Sequence, residues 1–377
     1  MPAPLLALSP RLRSTPYSAQ VEASGVKAYT VYNHMVLPSV FRSLEEDYWH
    51  LRAHVQLWDV ACERQVDLRG PDAARLLQLM TPRDLGRVQI GQCVYCPLLD
   101  EAGGMINDPV VLKLAEDHFW LSIASSDVLL WAKGLALGHG FDVAVSEPDV
   151  SPLAVQGPKA ETLMARVFGD AVGDIRFFRF ERLGFQGRSL VVARSGWSKQ
   201  GGFEIYLDDS RLGGALWQAL WDAGQDLEVG PGCPNLIERI EGGLLSYGSD
   251  MTRDNNPFEC GLERYCRLDG ADFIGKAALL RLSESGPLRQ IRGLRIAGAP
   301  LSSCRDFWRV EGQGEGEGAF AGQVSSLTWS PRLKTNIALA MIERDHWQPG
   351  TALAVVLPDG SRREAEVCNL PFADPAD

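Results

Sequence analysis

Ser195-Gly196-Trp197-Ser198-Lys199-Gln200-Gly201-Gly202-Phe203-Glu204-Ile205-Tyr206-Leu207 is the stretch from which the rest of the chain is best read. It follows Val191 and Val192, turns through three glycines, and re-enters an alternating run with Phe203, Ile205 and Leu207 on one face. Glu204 and Tyr206 share the opposite face. Two readings stand at this point. One is an ordinary hairpin whose outer face is wet. The other is a ligand face, where an acceptor carboxylate and a phenol lie beside a glycine loop carrying Trp197 and Lys199, suited to a ligand with hydrogen-bonding edges and positive charge.

Outward from that stretch, Gln65 to Leu77 reads as a strand, a Gly70-Pro71 start and an amphipathic helix, and Leu153 to Met164 repeats the pattern through Gly157-Pro158. One matched pair predicts two related α+β halves, since a stacked repeat needs three or more units. A ligand is then expected between the halves. Residues 1 to about 20, with four prolines, read as an irregular arm. A helix is predicted to start at Ser43, with Glu46 completing a capping box. Gly91 to Leu98 and Val110 to Leu114 read as strands flanking the turn from Glu101 to Asp108, and Phe119 to Ile123 as another. A helix to about Leu137 is expected to be capped by Ser125 or Ser126. Asn235 to Leu245 has helical spacing with Asn235 as cap.

From about residue 286, short alternating runs (291–296, 307–310, 320–327, 337–342 and 353–357) predict a small antiparallel β domain. The segment from Gly312 to Gly318 reads as a flexible hairpin loop, because Glu315 and Glu317 would repel phosphate.

The 377 residues suggest two or three domains, and a formal charge of −11 argues against nucleic acid and anionic membrane surfaces as partners. No basic-then-apolar leader pattern opens the sequence, so a cytoplasmic protein is expected. Eight scattered cysteines point to free thiols, and Cys93-x-x-Cys96 lacks the second pair of a zinc site. His50 and His54 share a helix face but have no third ligand nearby, so no metal site is expected.

Several motifs carry a family resemblance in the right order. They are Ser195-Gly196-Trp197 with Gly202-Phe203-Glu204-Ile205, then Gly103 to Asp108, Arg239 to Leu244 with Asp250, and Ser325 to Ile337. Together they resemble the aminomethyltransferase (glycine cleavage T-protein) family. The wording at Val31 to Met35, Trp58 to Gln65 and Asn255 to Cys260 is most similar to its dimethylsulfoniopropionate demethylase branch. The resemblance implies a three-domain cloverleaf around a folate channel, here residues 1–60 with 152–234, 61–151 with 235–285, and 286–377.

It also implies tetrahydrofolate as the methyl-accepting co-substrate. Asp108 would be catalytic, close to the reacting folate nitrogen, and Tyr95, Asp108, Glu204 and Tyr206 would hold the folate. By its spacing alone Asp108 also reads as a plain turn residue. Where glycine cleavage members carry an arginine before the Arg-Leu-Glu run, this chain has Pro234-Asn235-Leu236, and Gln348 stands where they carry a second before a late Pro-Gly. Losing two bidentate cationic forks argues against their lipoyl substrate.

Trp197, Lys199 and Tyr32 are the expected donor-binding residues: an aromatic face for a methylated onium group and a point charge for its carboxylate. Trp197 could equally be packing under the hairpin. An onium methyl is already activated, so transfer needs alignment and exclusion of water and needs no metal. A methyltransfer from a small onium or methylated-amine acid is the leading expectation. Aminomethyl transfer and folate binding without turnover are the alternatives. A monomer or homodimer is expected.

Overall fold

Gly202–Leu207 is the third strand of a six-stranded sheet that runs Phe180–Phe185, Arg188–Ala193, Gly202–Leu207, Ser151–Gln156, Val55–Asp59, Val229–Gly232. All neighbours are antiparallel except the last pair. The computed structural model describes residues 8–312 and 318–373. Phe203, Ile205 and Leu207 enter one large core with Val55, Leu57, Leu153 and Val155. The opposite face of the strand is not wet, contrary to the first of the two readings. Tyr206 is buried there against Trp120, with ring centroids 6.2 Å apart.

Trp120 belongs to a second sheet of five antiparallel strands, in the order Ala144–Ser146, Gln65–Arg69, His118–Ser122, Val110–Ala115, Cys93–Tyr95. A shared cluster of Cys93, Leu112 and Trp120 with Val191, Ala193 and Tyr206 packs the two sheets together. The chain passes from one sheet to the other between Val55–Asp59 and Gln65–Arg69.

The Gly-Pro pairs have one cause in common. Gly70 (φ 142°) and Gly157 (φ 124°) adopt backbone that disfavours a side chain. An added Cβ would also lie 2.7 Å from the carbonyl oxygen of Asp142 and 2.3 Å from that of His54 respectively. Each strand therefore turns tightly against a neighbouring backbone before its helix, Ala73–Met80 or Ala160–Phe168.

Arg289–Ile296, Thr335–Glu343, Phe320–Ser330, Trp308–Gly312, Ala352–Val356 and Arg362–Cys368 close into an antiparallel barrel around Leu294, Val324, Ala340, Val355 and Val367. The last strand was not anticipated. Its outward residues are charged and only Ala365 and Val367 face the core, so its alternation is weak in apolar content. Residues 313–317 of the expected hairpin loop lie outside the described residues, as do residues 1–7 of the expected arm.

Helix starts were partly legible. Ser43 does accept from the amide of Glu46 at the start of Leu44–Ala53, and Asn235 caps Leu236–Glu241 through the amides of Ile237 and Glu238. That second helix stops at Gly242, short of Leu245. The helix Val128–His139 begins after Asp127, not after a capping serine. Ser125 instead accepts from the amide of Asn33, and Ser126 is bonded to Asn107 and the Ile106 carbonyl.

Arg239 and Asp250 form a buried pair at 2.8 Å. Arg239 also reaches Ser326 at 2.6 Å, and Ser325 and Ser326 both donate to Asp250 at 2.6 Å. Two distant motifs of the family resemblance thus meet as one clamp between the helix segment and the barrel.

Candidate active site

The glycines of the opening stretch are dictated by Gln156. This buried side chain donates to the Ser195 carbonyl at 3.2 Å and accepts from Ser198 at 2.8 Å. A Cβ on Gly196 (φ 150°) would fall 2.1 Å from its Nε2, and one on Gly202 (φ 147°) would fall 2.3 Å from the Val155 carbonyl oxygen. Packed that closely, the loop delivers Glu204 between Ala154 and Ala193 of its neighbouring strands.

Glu204 is only 7 % exposed and accepts a short hydrogen bond from Ser195 and a longer one, 3.4 Å, from Tyr206. Burial raises its carboxyl above the ordinary carboxylate range, while those two donors pull the other way. The two tyrosine hydroxyls of the folate set belong to different partners. Tyr206 serves Glu204, whereas the Tyr95 hydroxyl donates to Asp108 at 2.8 Å.

Asp108 directly follows the strand Met105–Asn107, and Asn107 fixes that position through the Ala124 amide and carbonyl. Asp108 is half-buried, and its carboxylate accepts from the Tyr95 hydroxyl as well as lying by its own backbone amide. Desolvation pushes its carboxyl up to about 7, opposed by the Tyr95 hydroxyl and its own backbone amide.

Tyr32 arrives on a hairpin absent from the sequence reading. Ala28–Tyr32 pairs with Met35–Val40 through Asn33 (φ 49°) and His34 (φ 61°), a two-residue turn with both residues left-handed. Asn33 anchors the tip by donating to the carbonyls of Cys62 and Ala124. The Tyr32 hydroxyl is pushed well above its usual range, first by burial and then by the charges of Asp108 and Glu63. Of the seven selected residues, Tyr95 is bonded to Asp108, Tyr206 to Glu204, and Tyr32 lies within reach of the Asp108 charge.

Trp197 and Lys199 stand apart from them, on the loop that leads to Glu204. The Trp197 ring is half-buried with the Arg239 guanidinium 5.8 Å from its centroid. Buried Glu238 accepts from the Lys199 amide at 3.1 Å and from Gln200 at 2.8 Å, which fixes the loop. The stem of Lys199 lies close over Gly242, while the residue remains exposed.

Beyond Tyr95, its ring neighbours Tyr265 at 5.1 Å, and Arg83 and Arg264 lie 5.0 and 4.7 Å from that second ring. Arg83, Arg87, Arg264 and Arg267 line a cavity of about 260 Å³ here. This is a local basic patch on an acidic chain.

The histidine pair and the Cys93-x-x-Cys96 pair are packed among other protein groups. His50 and His54 have rings 5.0 Å apart, and His50 is pushed down to about 4 by burial, then by Arg42 and His54. His54 faces Lys159 at 3.0 Å. Cys93 and Cys96 are both free and buried, and they enter different cores. No cluster of three or more potential metal-ligating side chains occurs among the described residues, and no helix among them is long and apolar enough to cross a membrane.

Mixed helix-and-strand sheets followed by a closed six-stranded barrel are the architecture of the T-protein class. The family models agree: residues 17–270 match the GCVT N-terminal domain and residues 289–374 the glycine cleavage T-protein C-terminal barrel domain. The chain belongs to this family. It is 58 % identical over 354 residues to the dimethylsulfoniopropionate demethylase DmdA of Ruegeria pomeroyi, covering 94 % of this chain and 96 % of that one. It is 30 % identical to an aminomethyltransferase of Chlorobaculum tepidum, covering 96 % and 98 %. The crystal structure of the glycine cleavage system aminomethyltransferase T from Bartonella henselae superposes with a TM-score of 0.85 at 25 % identity, covering 96 % and 98 %.

Proposed function

We propose that this protein transfers a methyl group from dimethylsulfoniopropionate to tetrahydrofolate, giving methylmercaptopropionate and 5-methyltetrahydrofolate. The observation that carries this reading is 58 % identity across nearly the whole length of a dimethylsulfoniopropionate demethylase. The site is in keeping with it. Glu204 is a fixed, buried acceptor suited to the N–H edge of an aminopyrimidine, and the four-arginine cavity beyond Tyr95 suits the carboxylates of a glutamate tail.

Tetrahydrofolate, when bound, supplies the accepting secondary amine. The chain's part is alignment and charge. Glu204, with Tyr206 and Ser195 behind it, orients the acceptor. Asp108, set by Tyr95, is a carboxylate able to take the proton that the amine loses as its nitrogen gains the methyl group. Trp197 and Lys199 are assigned to the onium group and carboxylate of the donor. Aminomethyl transfer is disfavoured because Asn235 is committed to capping a helix and Gln348 is exposed, so neither position offers a guanidinium.

Calorimetry with tetrahydrofolate tests the acceptor half. Glu204→Gln replaces one acceptor oxygen by a donor, and the dissociation constant is expected to rise about tenfold or more, as for a lost hydrogen bond to a charged group. Binding unchanged by the substitution removes Glu204 from the folate site.

For the donor half, Trp197→Leu keeps apolar bulk but loses the ring quadrupole, and KM for the donor is expected to rise roughly tenfold with folate affinity held. Equal losses for both ligands, or a fall in the thermal midpoint, would instead mark the ring as packing. A panel of methyl donors scored by mass for 5-methyltetrahydrofolate decides the class. No product from any donor would favour a folate-binding protein without turnover, and activity on aminomethyl-lipoyl carrier protein alone would restore the glycine cleavage reading.

A further inference from the structure

Glu63 has no part in the assignments above, yet its charge acts on Tyr32, and those of Asp108 and Glu204 act on it. It lies on the crossing between the two sheets, one residue before Arg64 and the strand Gln65–Arg69. Its carboxylate has a single described hydrogen bond, from the Ser122 hydroxyl at 3.4 Å. Ser122 also bonds Gln65 at 2.9 Å and Tyr206, so Glu63 is joined to the Glu204 network through one serine. The charges of Glu204 and Asp108 both act on it, and with burial they hold its carboxyl well above the usual range.

No ion pair joins Glu63, Asp108 or Glu204 to a lysine, arginine or histidine among the described residues. Their side-chain partners are the hydroxyls of Tyr95, Ser122, Ser195 and Tyr206. Beside them the Oε1 of Gln65, a residue only 1 % exposed, has no hydrogen-bond donor among the described residues. Without a countercharge such carboxyls keep their protons, and a cation entering beside them favours the ionised forms.

We propose that Glu63 is a specificity-determining residue which, ionised together with Asp108 when a cation is bound, selects methyl donors bearing a fixed positive charge. This rests on the function proposed above. It also accounts for turnover. The S–CH₃ bond breaks with its electron pair left on sulfur, the amine lone pair forms the new N–CH₃ bond, and the amine proton passes to Asp108. The donor leaves as a neutral thioether. The attraction that held it is gone.

The test compares the sulfonium acid with its uncharged carbon isostere, 4-methylpentanoate, as competing ligands of the folate-loaded protein. Wild type is expected to bind the sulfonium acid at least tenfold more tightly. Glu63→Gln is expected to lose most of that preference, with the isostere's inhibition constant and tetrahydrofolate affinity held, and Glu63→Asp is expected to restore it. If the glutamine variant does not fold, the aspartate variant and the wild-type ratio still decide the matter: a wild type without preference for the cation overturns the inference. So does a folded Glu63→Gln that keeps the preference, or one that weakens both ligands equally. A wild type that demethylates no onium acid at all overturns the proposed function itself, and this inference with it.

Discussion

Asp108→Asn is expected to lower kcat by about 10²-fold while raising the thermal midpoint at pH 8. Both effects come from one burial. Desolvation lifts the carboxyl to about 7 in the folded protein, against about 4 for an unfolded aspartate. Between those values the native state keeps a proton that the unfolded chain has released, so the native state binds more protons and stability falls as pH rises through that window. Above about pH 7 the buried charge exerts its full destabilisation. Asparagine carries none. The variant should therefore match wild type near pH 3, gain on it from about pH 4 to 7, and keep a constant advantage above.

The activity profile follows from the same proton. If the carboxylate form accepts the amine proton, kcat/KM of the wild type rises with pH through about 7, and Asp108→Asn lacks that limb. Pairing a pH series of thermal midpoints with the kinetics separates this role from a structural one. An unchanged kcat would take Asp108 out of the chemistry.

What the sequence showed of this site depended on how local the physics was. The Ser43 and Asn235 caps are set by neighbours within a few residues and were legible, and the glycines and Gly-Pro turns were legible as residue types although the groups that crowd them lie far off in the chain. Strand alternation placed Glu204 and Tyr206 on one face, but whether that face was wet depended on Trp120, far away in the chain and in another sheet. The hairpin that brings Tyr32 in was missed because Asn33 is held left-handed by carbonyls at positions 62 and 124. Glu63 was passed over within a quoted motif for the same reason. Its only described side-chain partner lies 59 positions away. The final barrel strand escaped because charged outward residues conceal a two-residue apolar face.

Asp250→Ala is expected to cost about 3–5 kcal/mol of stability, the usual consequence of removing one member of a buried ion pair. Its carboxylate is fully enclosed and accepts from Arg239, Ser325, Ser326 and the Ser246 amide. Alanine leaves the guanidinium of Arg239, itself only 8 % exposed, without its countercharge. The loss should appear as barrel contacts opening at lower denaturant, since Ser325 and Ser326 lie in the strand Phe320–Ser330. Arg239→Met combined with Asp250→Leu removes both charges and fills the space, so the double variant should be more stable than Asp250→Ala alone. That ordering distinguishes an orphaned charge from lost packing. Because Arg239 lies beside the Trp197 ring, the double variant should also change donor KM while leaving folate affinity near wild type. Simple additivity of the two single losses would show that the pair is not energetically coupled, and that the clamp is held by the serines alone.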